Sequence, residues 1–140
     1  MQVRIAQTDI DIQRCFPVMV QLRPHLEESD FVPRIRRMMQ LEYSLAFIER
    51  ESLVQTVAGF RLVENLAWGR FLYIDDFVTD ANARSQGLGS ILFDWCRQFA
   101  VQQHCETLLL DSGVQRHDAH RFYLSKRMSI SSHHFSMDLK

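Results

Sequence analysis

Hydrophobic and polar positions along the chain follow two periods, which predicts that helices and strands are mixed. Apolar residues three or four positions apart, typical of helices, occur over residues 9–22, 30–41, 88–99 and 118–126. Alternation or a short apolar run, typical of strands, occurs over residues 1–6, 43–47, 53–64, 71–79, 106–111 and 130–139. The order β-α-α-β-β-β-α-β-α-β predicts an α/β fold, with one central mixed sheet flanked by about four helices.

Single residues refine these elements. Pro17 lies inside the first helical pattern, so that helix is either kinked or begins late. Ser29 or Asp30 is expected to cap the second helix. Gly59, inside a strand, indicates a bulge or the close approach of another group.

Composition supports one folded domain spanning residues 1–140. The chain has 46% hydrophobic residues, 24% charged residues and a formal net charge of −1. This balance argues against a nucleic-acid partner or a membrane-surface protein. Three cysteines without paired spacing argue against a disulfide framework. No secretory signal and no apolar run of about 18 residues is visible, so we expect a cytoplasmic protein.

The loop that follows the predicted strand over residues 71–79 is suited to bind phosphate. Its seven residues are Arg84, Ser85, Gln86, Gly87, Leu88, Gly89 and Ser90. Glycines expose backbone N–H groups, and the first turn of the following helix has N–H groups without partners and a dipole that favours anions. The loop is neither a Walker loop nor a dinucleotide fingerprint. The alternative is that the glycines only make a tight turn between strand and helix.

The pattern Arg-x-x-Gly-x-Gly at residues 84–89, followed by AHRFYLSK at residues 119–126, resembles the GNAT N-acetyltransferase superfamily. The resemblance covers essentially the whole chain. It implies acetyl-CoA as cosubstrate, with its pyrophosphate on residues 84–90. It also implies that main-chain groups of Phe77 and Val78 pair with the pantetheine arm. Many members have a cofactor-binding Asn shortly before the Tyr helix; the matching region here is Arg116-His117-Asp118, and His117 is the candidate for this contact.

Three residues are candidates for catalysis. By resemblance, Tyr123 would stabilise or protonate the CoA thiolate; the alternative is a packed structural tyrosine. Asp75 or Asp76 could collect the proton of the attacking amine, or could be structural ion-pair residues. Because adjacent strand residues point to opposite faces, only one of them is expected to face the acceptor. The resemblance favours Asp75, whose counterpart in the polyamine acetyltransferases of this superfamily is a Glu at the acceptor site.

Two features depart from the expected patterns. Arg127-Met128 stands where many family members have Gly-Phe, so no glycine is available there for a left-handed turn. Six histidines, including His117, His120 and the pair at 133–134, raise the question of a metal. They lack a recognisable ligand spacing, so we expect no metal site.

The sequence therefore predicts an N-acetyltransferase that transfers acetyl from acetyl-CoA to a primary amine by direct attack in a ternary complex. The acceptor is a small amine, a polyamine or a protein amine. The alternative is a non-catalytic CoA-binding regulatory module. The apolar face of residues 130–139, with Phe135, Met137 and Leu139, predicts a homodimer through a terminal strand.

Overall fold

The computed structural model describes residues 2–140, which form five strands and four α-helices. The strands are β1 (Val3–Ile5), β2 (Tyr43–Arg50), β3 (Leu53–Asn65), β4 (Gly69–Thr79) and β5 (Thr107–Leu110). The helices are α1 (Asp9–Leu22), α2 (Glu28–Met39), α3 (Leu88–Gln102) and α4 (His117–Ser125), with a 3₁₀ turn at Ala81–Ala83. A mixed sheet with four helices confirms the expected fold class.

The strands lie side by side in chain order, β1-β2-β3-β4-β5. The first three pairings are antiparallel, and α3 forms the crossover between β4 and β5. The turn between β2 and β3 is formed by Glu51 and Ser52, both with positive φ. Strand β2 therefore continues through Arg50, beyond the predicted residues 43–47.

Helices cover both faces of the sheet. Val57 of β3 belongs to a buried cluster with residues of α1 and α2, such as Ile12 and Phe31. Phe60 of the same strand contacts the ring of Phe99 in α3, with the ring centroids 5.4 Å apart. Because residues 57 and 60 point to opposite faces of a strand, α1 and α2 cover one face and α3 covers the other.

The starts of the first two helices differ in part from expectation. Helix α1 begins at Asp9, where the Thr8 side chain accepts a hydrogen bond from the Asp11 N–H (3.1 Å), and it continues through Pro17. A late start is therefore excluded. Helix α2 has Glu27 at its N-cap without a side-chain capping bond. Ser29 and Asp30 lie inside the helix, so the predicted caps are wrong.

The predicted last strand is not formed. Residues 128–140 have no helix or strand. The side chains of Phe135, Met137 and Leu139 are 90%, 82% and 90% exposed. An alternating sequence becomes a strand only where a neighbouring strand accepts its backbone hydrogen bonds. Among residues 2–140, no strand is paired with this segment.

Contacts divide the chain into two compact units, the first ending at Leu109 and the second spanning Leu110–Lys140. The first contains α1 to α3 and β1 to β4. The second contains α4 and the exposed C-terminal segment. None of the helices within residues 2–140 combines the length and apolar character that a membrane crossing requires.

Candidate active site

The N-terminus of α3 has the geometry expected of an anion site. Gly87 is its N-cap, with φ +81°, a left-handed conformation that favours glycine. A Cβ at Gly87 would meet nothing within 4 Å, so the space in front of it is open. The Gly87 carbonyl accepts the first intrahelical bond, from the Ile91 N–H (3.1 Å). The N–H groups of residues 88–90 therefore lack acceptors within the helix.

Two arginines accompany this loop. Arg84 is exposed, and within residues 2–140 its guanidinium has no hydrogen-bond or ion-pair partner. The Arg50 guanidinium, at the end of β2, donates a hydrogen bond to the Gln86 side chain. The sequence did not identify Arg50, because its contact with the loop depends on the β2–β3 turn.

The end of β4 packs closely against the start of α3. A Cβ at Gly89 would lie 3.4 Å from Thr79 Oγ1 and 3.7 Å from the Phe77 ring. The buried Thr56 hydroxyl donates to the Val78 carbonyl (3.0 Å) and lies 3.1 Å from Thr79 Oγ1. These contacts fix the loop directly beside the backbone of residues 77–79.

The C-terminal half of β4 has little cover from β5. The Glu106 N–H donates to the Arg70 carbonyl (2.7 Å), so β5 begins beside the start of β4. Four residues of β5 extend about 13 Å, whereas Phe77 lies about 23 Å beyond Arg70 along β4. Phe77 and Val78 are paired with β3 on their other side. Strand β5 is therefore too short to run alongside Phe77 and Val78.

A β-bulge interrupts β4 at Asp75. In the register with β3, Gly59 is opposite Asp76 and Phe60 is opposite Ile74, so Asp75 is an extra residue. A bulge locally disrupts the alternation of side chains. The prediction that Gly59 indicates a bulge or a close approach is confirmed on both counts, because a Cβ there would lie 1.8 Å from the hydroxyl of Tyr43.

Both carboxylates lie on the face covered by α1 and α2. Asp75 accepts two hydrogen bonds from Arg61, at 2.8 and 2.9 Å, and Asp76 accepts one from the Tyr43 hydroxyl at 2.9 Å. Arg61 is two residues from Gly59 on β3, and the Tyr43 hydroxyl lies over Gly59. The prediction that the aspartates face opposite layers is therefore wrong, and the bulge is the reason.

Asp76 is the centre of a polar network. Arg23 Nε donates to Asp76 Oδ1 (2.9 Å), and Arg23 Nη2 donates to the Asp75 carbonyl (2.9 Å). Burial, followed by the negative charge of Asp76, raises the pKa of Tyr43 well above its usual value. Tyr43 therefore remains a neutral hydrogen-bond donor to Asp76.

A cavity of about 250 Å³ opens beside this network. It is lined by Met19, Arg23, His25, Leu26, Phe31, Arg34, Ile35, Met38, Tyr43 and Asp76, all in the first unit. Asp76 is in the lining and Asp75 is not. The cavity therefore favours Asp76 over Asp75 as the carboxylate that could meet a small molecule.

In the second unit, Tyr123 is 9% exposed. Burial raises the pKa of its phenol, and the positive charge of Arg116 partly opposes this effect. The phenol is therefore a proton donor throughout the neutral range. His117 is the first residue of α4 and is exposed, with its ring edge-on to that of His120.

A left-handed turn follows α4 without a glycine. Arg127 has φ +69°, and the Met128 N–H donates to the Tyr123 carbonyl (3.2 Å). This is the bond of a Schellman motif at the helix end. The left-handed turn therefore forms at Arg127, although no glycine is available there.

Within residues 2–140, no group of three or more His, Cys, Asp and Glu side chains is placed to hold a metal. The His134 ring lies 3.6 Å from the Asp111 carboxylate, and both residues belong to the second unit.

The acidic network depends on three residues that sequence reasoning missed: Arg23, Tyr43 and Arg61. Tyr43 was predicted only as part of an apolar strand face. The two arginines are 53 and 14 residues from their carboxylate partners, so no local pattern connects them. The one feature of the sequence that points to this network is the Asp75-Asp76 pair, which interrupts an otherwise apolar strand.

Comparison with known proteins gives a consistent result. A family model described as the acetyltransferase (GNAT) family matches residues 10–128. The chain is 33% identical over 112 residues to the uncharacterized N-acetyltransferase YhdJ of Bacillus subtilis (strain 168), covering 79% of each protein. It is similar in structure to ribosomal-protein-alanine N-acetyltransferase from Brucella melitensis biovar Abortus 2308, with a TM-score of 0.84, 11% identity, and coverage of 99% and 100%. AAC(6')-Iy, solved with a bisubstrate analogue of CoA, has a TM-score of 0.83, 9% identity, and coverage of 100% and 99%.

Proposed function

Because the chain belongs to the acetyltransferase (GNAT) family, whose members use acetyl-CoA, we propose that it transfers the acetyl group to a primary amine by direct attack in a ternary complex. The observation that carries this proposal is the open anion site at the start of α3, fixed against β4, which also carries Asp76 at the cavity. Cofactor and acceptor would then meet along one strand.

The cofactor is held mainly by backbone groups. The N–H groups of the first turn of α3 bind the pyrophosphate, together with the Arg84 guanidinium. Ser85 and Gln86 shape the loop, and Gln86 is steadied by Arg50. The pantetheine amides pair with the backbone of Phe77 and Val78. His117 contributes a cofactor contact from α4.

The reaction exchanges one bond for another. The neutral amine nitrogen attacks the acetyl carbonyl carbon, the C–N bond forms, the C–S bond breaks, and CoA leaves as a thiolate. Asp76 receives the proton that the amine loses, directly or through water. The Tyr123 phenol donates a hydrogen bond or proton to the thiolate. A thiol has a reference pKa of about 8.5 and a phenol one of about 10, so hydrogen-bond stabilisation is the larger part.

Calorimetry with acetyl-CoA, followed by product analysis with a panel of amines, tests this function. Gly87→Val places a branched side chain over the anion site, at a left-handed position, so we expect acetyl-CoA binding to be lost while the fold is retained. Gln102→Val, at the other end of α3, is the matched control. Unchanged affinity in a folded Gly87→Val protein would contradict the placement of the pyrophosphate.

The same assay distinguishes acetyl transfer from the alternative function, CoA binding without catalysis. The Arg127-Met128 pair, which stands where many family members have Gly-Phe, favours this alternative. Tight acetyl-CoA binding without acetylation of any amine would support it. Acetylated product would exclude it.

Tyr123→Phe tests the role of the phenol. We expect kcat to fall about 10²–10⁴-fold, the usual range for a positioned acid–base group, with the Kd for acetyl-CoA nearly unchanged. Substrate positioning survives, so activity remains measurable. Tyr73→Phe is the control, since it removes the same hydroxyl from a tyrosine of β4 that has no role in the proposed mechanism. A wild-type rate for Tyr123→Phe across pH 6–9 (about the window around the reference acidities) would remove Tyr123 from the mechanism.

A homodimer is the proposed assembly. The exposed apolar side chains Phe135, Met137 and Leu139 alternate with polar residues and have no strand partner within the described chain. Such a segment can form a strand by pairing with a second copy, which buries these side chains.

A further inference from the structure

The cavity beside Asp76 has more positive than negative charge. Its charged or chargeable lining residues are Arg23, His25, Arg34 and Asp76. Asp76 is already paired with Arg23 and accepts the Tyr43 hydrogen bond, so its charge is largely balanced. Arg34 and His25 are exposed, and no residue within 2–140 forms an ion pair or hydrogen bond with either side chain. The unbalanced charge at the cavity is therefore cationic.

The remaining walls are apolar. They are formed by Met19, Leu26, Phe31, Ile35 and Met38. The volume of about 250 Å³ lies just below the range of roughly 300–1,000 Å³ typical of small-molecule pockets. The cavity therefore suits a small ligand with a hydrocarbon part and a negative charge, and it repels a polycation.

Resting on the proposed function, we propose that the acceptor is a small apolar amino acid, a primary amine that also carries a carboxylate. The exposed Arg34 guanidinium binds the carboxylate through its forked N–H groups, and His25 adds a second donor beside it. The apolar walls bury the hydrocarbon part. The amine is directed to the buried end of the cavity, where the Asp76 side chain is only 13% exposed.

This assignment chooses among the acceptors that the sequence left open. A polyamine brings two or more positive charges to a cavity with an unpaired arginine, which is unfavourable. A protein N-terminus or lysine has no carboxylate at the corresponding position. An amino acid meets the apolar wall and the cationic rim.

The test is a pairwise comparison by calorimetry, with L-phenylalanine and L-phenylalaninamide as probes and spermidine as a polycation. The two phenylalanine compounds differ only in the carboxylate. Titrations are run with and without saturating CoA, so the comparison is obtained even if CoA does not bind. We expect the acid to bind at least tenfold more tightly than the amide, and spermidine to show no binding.

Arg34→Gln should weaken binding of the acid about tenfold to a hundredfold, as expected for loss of a hydrogen bond to a charged group, and should leave the amide unaffected. Arg37→Gln is the matched control, because Arg37 is exposed on the same helix but outside the cavity lining. It should leave the acid-to-amide ratio unchanged.

The proposal would be overturned by equal affinity for acid and amide, by binding of spermidine, or by an unchanged affinity for the acid in Arg34→Gln. Failure of all three probes to bind would also overturn it. In each case acetylation of another amine in the panel would leave the proposed acetyl transfer intact, whereas loss of acetyl-CoA binding would reject that transfer independently.

Discussion

Asp75 and Asp76 are consecutive in β4, yet their carboxylates share one face of the sheet. The alternation rule assigns them to opposite faces, and it fails because Asp75 is the extra residue of a bulge. Gly59 and the Asp-Asp break in an apolar strand are visible in the sequence. The Arg23 contact is not, because it forms only when the end of α1 packs against β4.

Gly59→Ala tests how strongly this network depends on a missing side chain. The new Cβ would lie 1.8 Å from the Tyr43 hydroxyl and 2.8 Å from Asp76 Oδ2, and Tyr43 is only 3% exposed and cannot swing away. We expect a loss of about 1–3 kcal/mol in the free energy of unfolding, measured by urea denaturation. The double variant Gly59→Ala/Tyr43→Phe should lose less free energy of unfolding than the two single variants lose in sum, since removal of the hydroxyl relieves part of the clash. Strict additivity would contradict the close approach.

At the scale of elements, helical periodicity located α1, α2 and α3, because each buries several apolar residues on one side. It also located α4, although Tyr123 is the one buried residue there. Their ends were harder to predict. Helix α2 begins at Glu28 without a side-chain cap, so packing of Phe31 and Ile35 rather than capping decides its start. The alternation of residues 130–139 is compatible with a β-strand. A strand forms only beside another strand, and the sequence does not specify which segment that would be.

That segment gives the element-scale prediction. Phe135→Ser combined with Met137→Ser removes most of its apolar face, so we expect the dimer to dissociate more than tenfold more readily in sedimentation equilibrium. Ile130→Ser, in the same segment but outside the alternating face of 135–139, is the control and should retain the dimer. A wild-type protein that remains monomeric at high micromolar concentration would exclude the proposed assembly.

At the scale of the whole molecule, the burial of two free cysteines makes the free energy of unfolding depend on pH in the alkaline range. Cys15 in α1 and Cys96 in α3 are fully buried on opposite sides of the sheet. Burial raises the pKa of each thiol from 9.0 to about 12. The folded state therefore retains protons that the unfolded chain releases between about pH 9 and 12. The contribution of the protonated thiols to the free energy of unfolding is complete below pH 9 and is lost as the pH rises towards 12.

The expected loss in the free energy of unfolding is about 1.4 kcal/mol per pH unit for each thiol within that window. Urea denaturation under reducing conditions at pH 8, 9, 10 and 11 measures it. A protein with both Cys15→Ala and Cys96→Ala should be less stable at pH 8, because each change leaves a cavity, but its stability should fall less steeply above pH 9. Cys105→Ala, at a half-buried position, should leave most of the slope unchanged. If the double variant and the wild type lose stability in parallel, titration of these thiols does not drive alkaline unfolding.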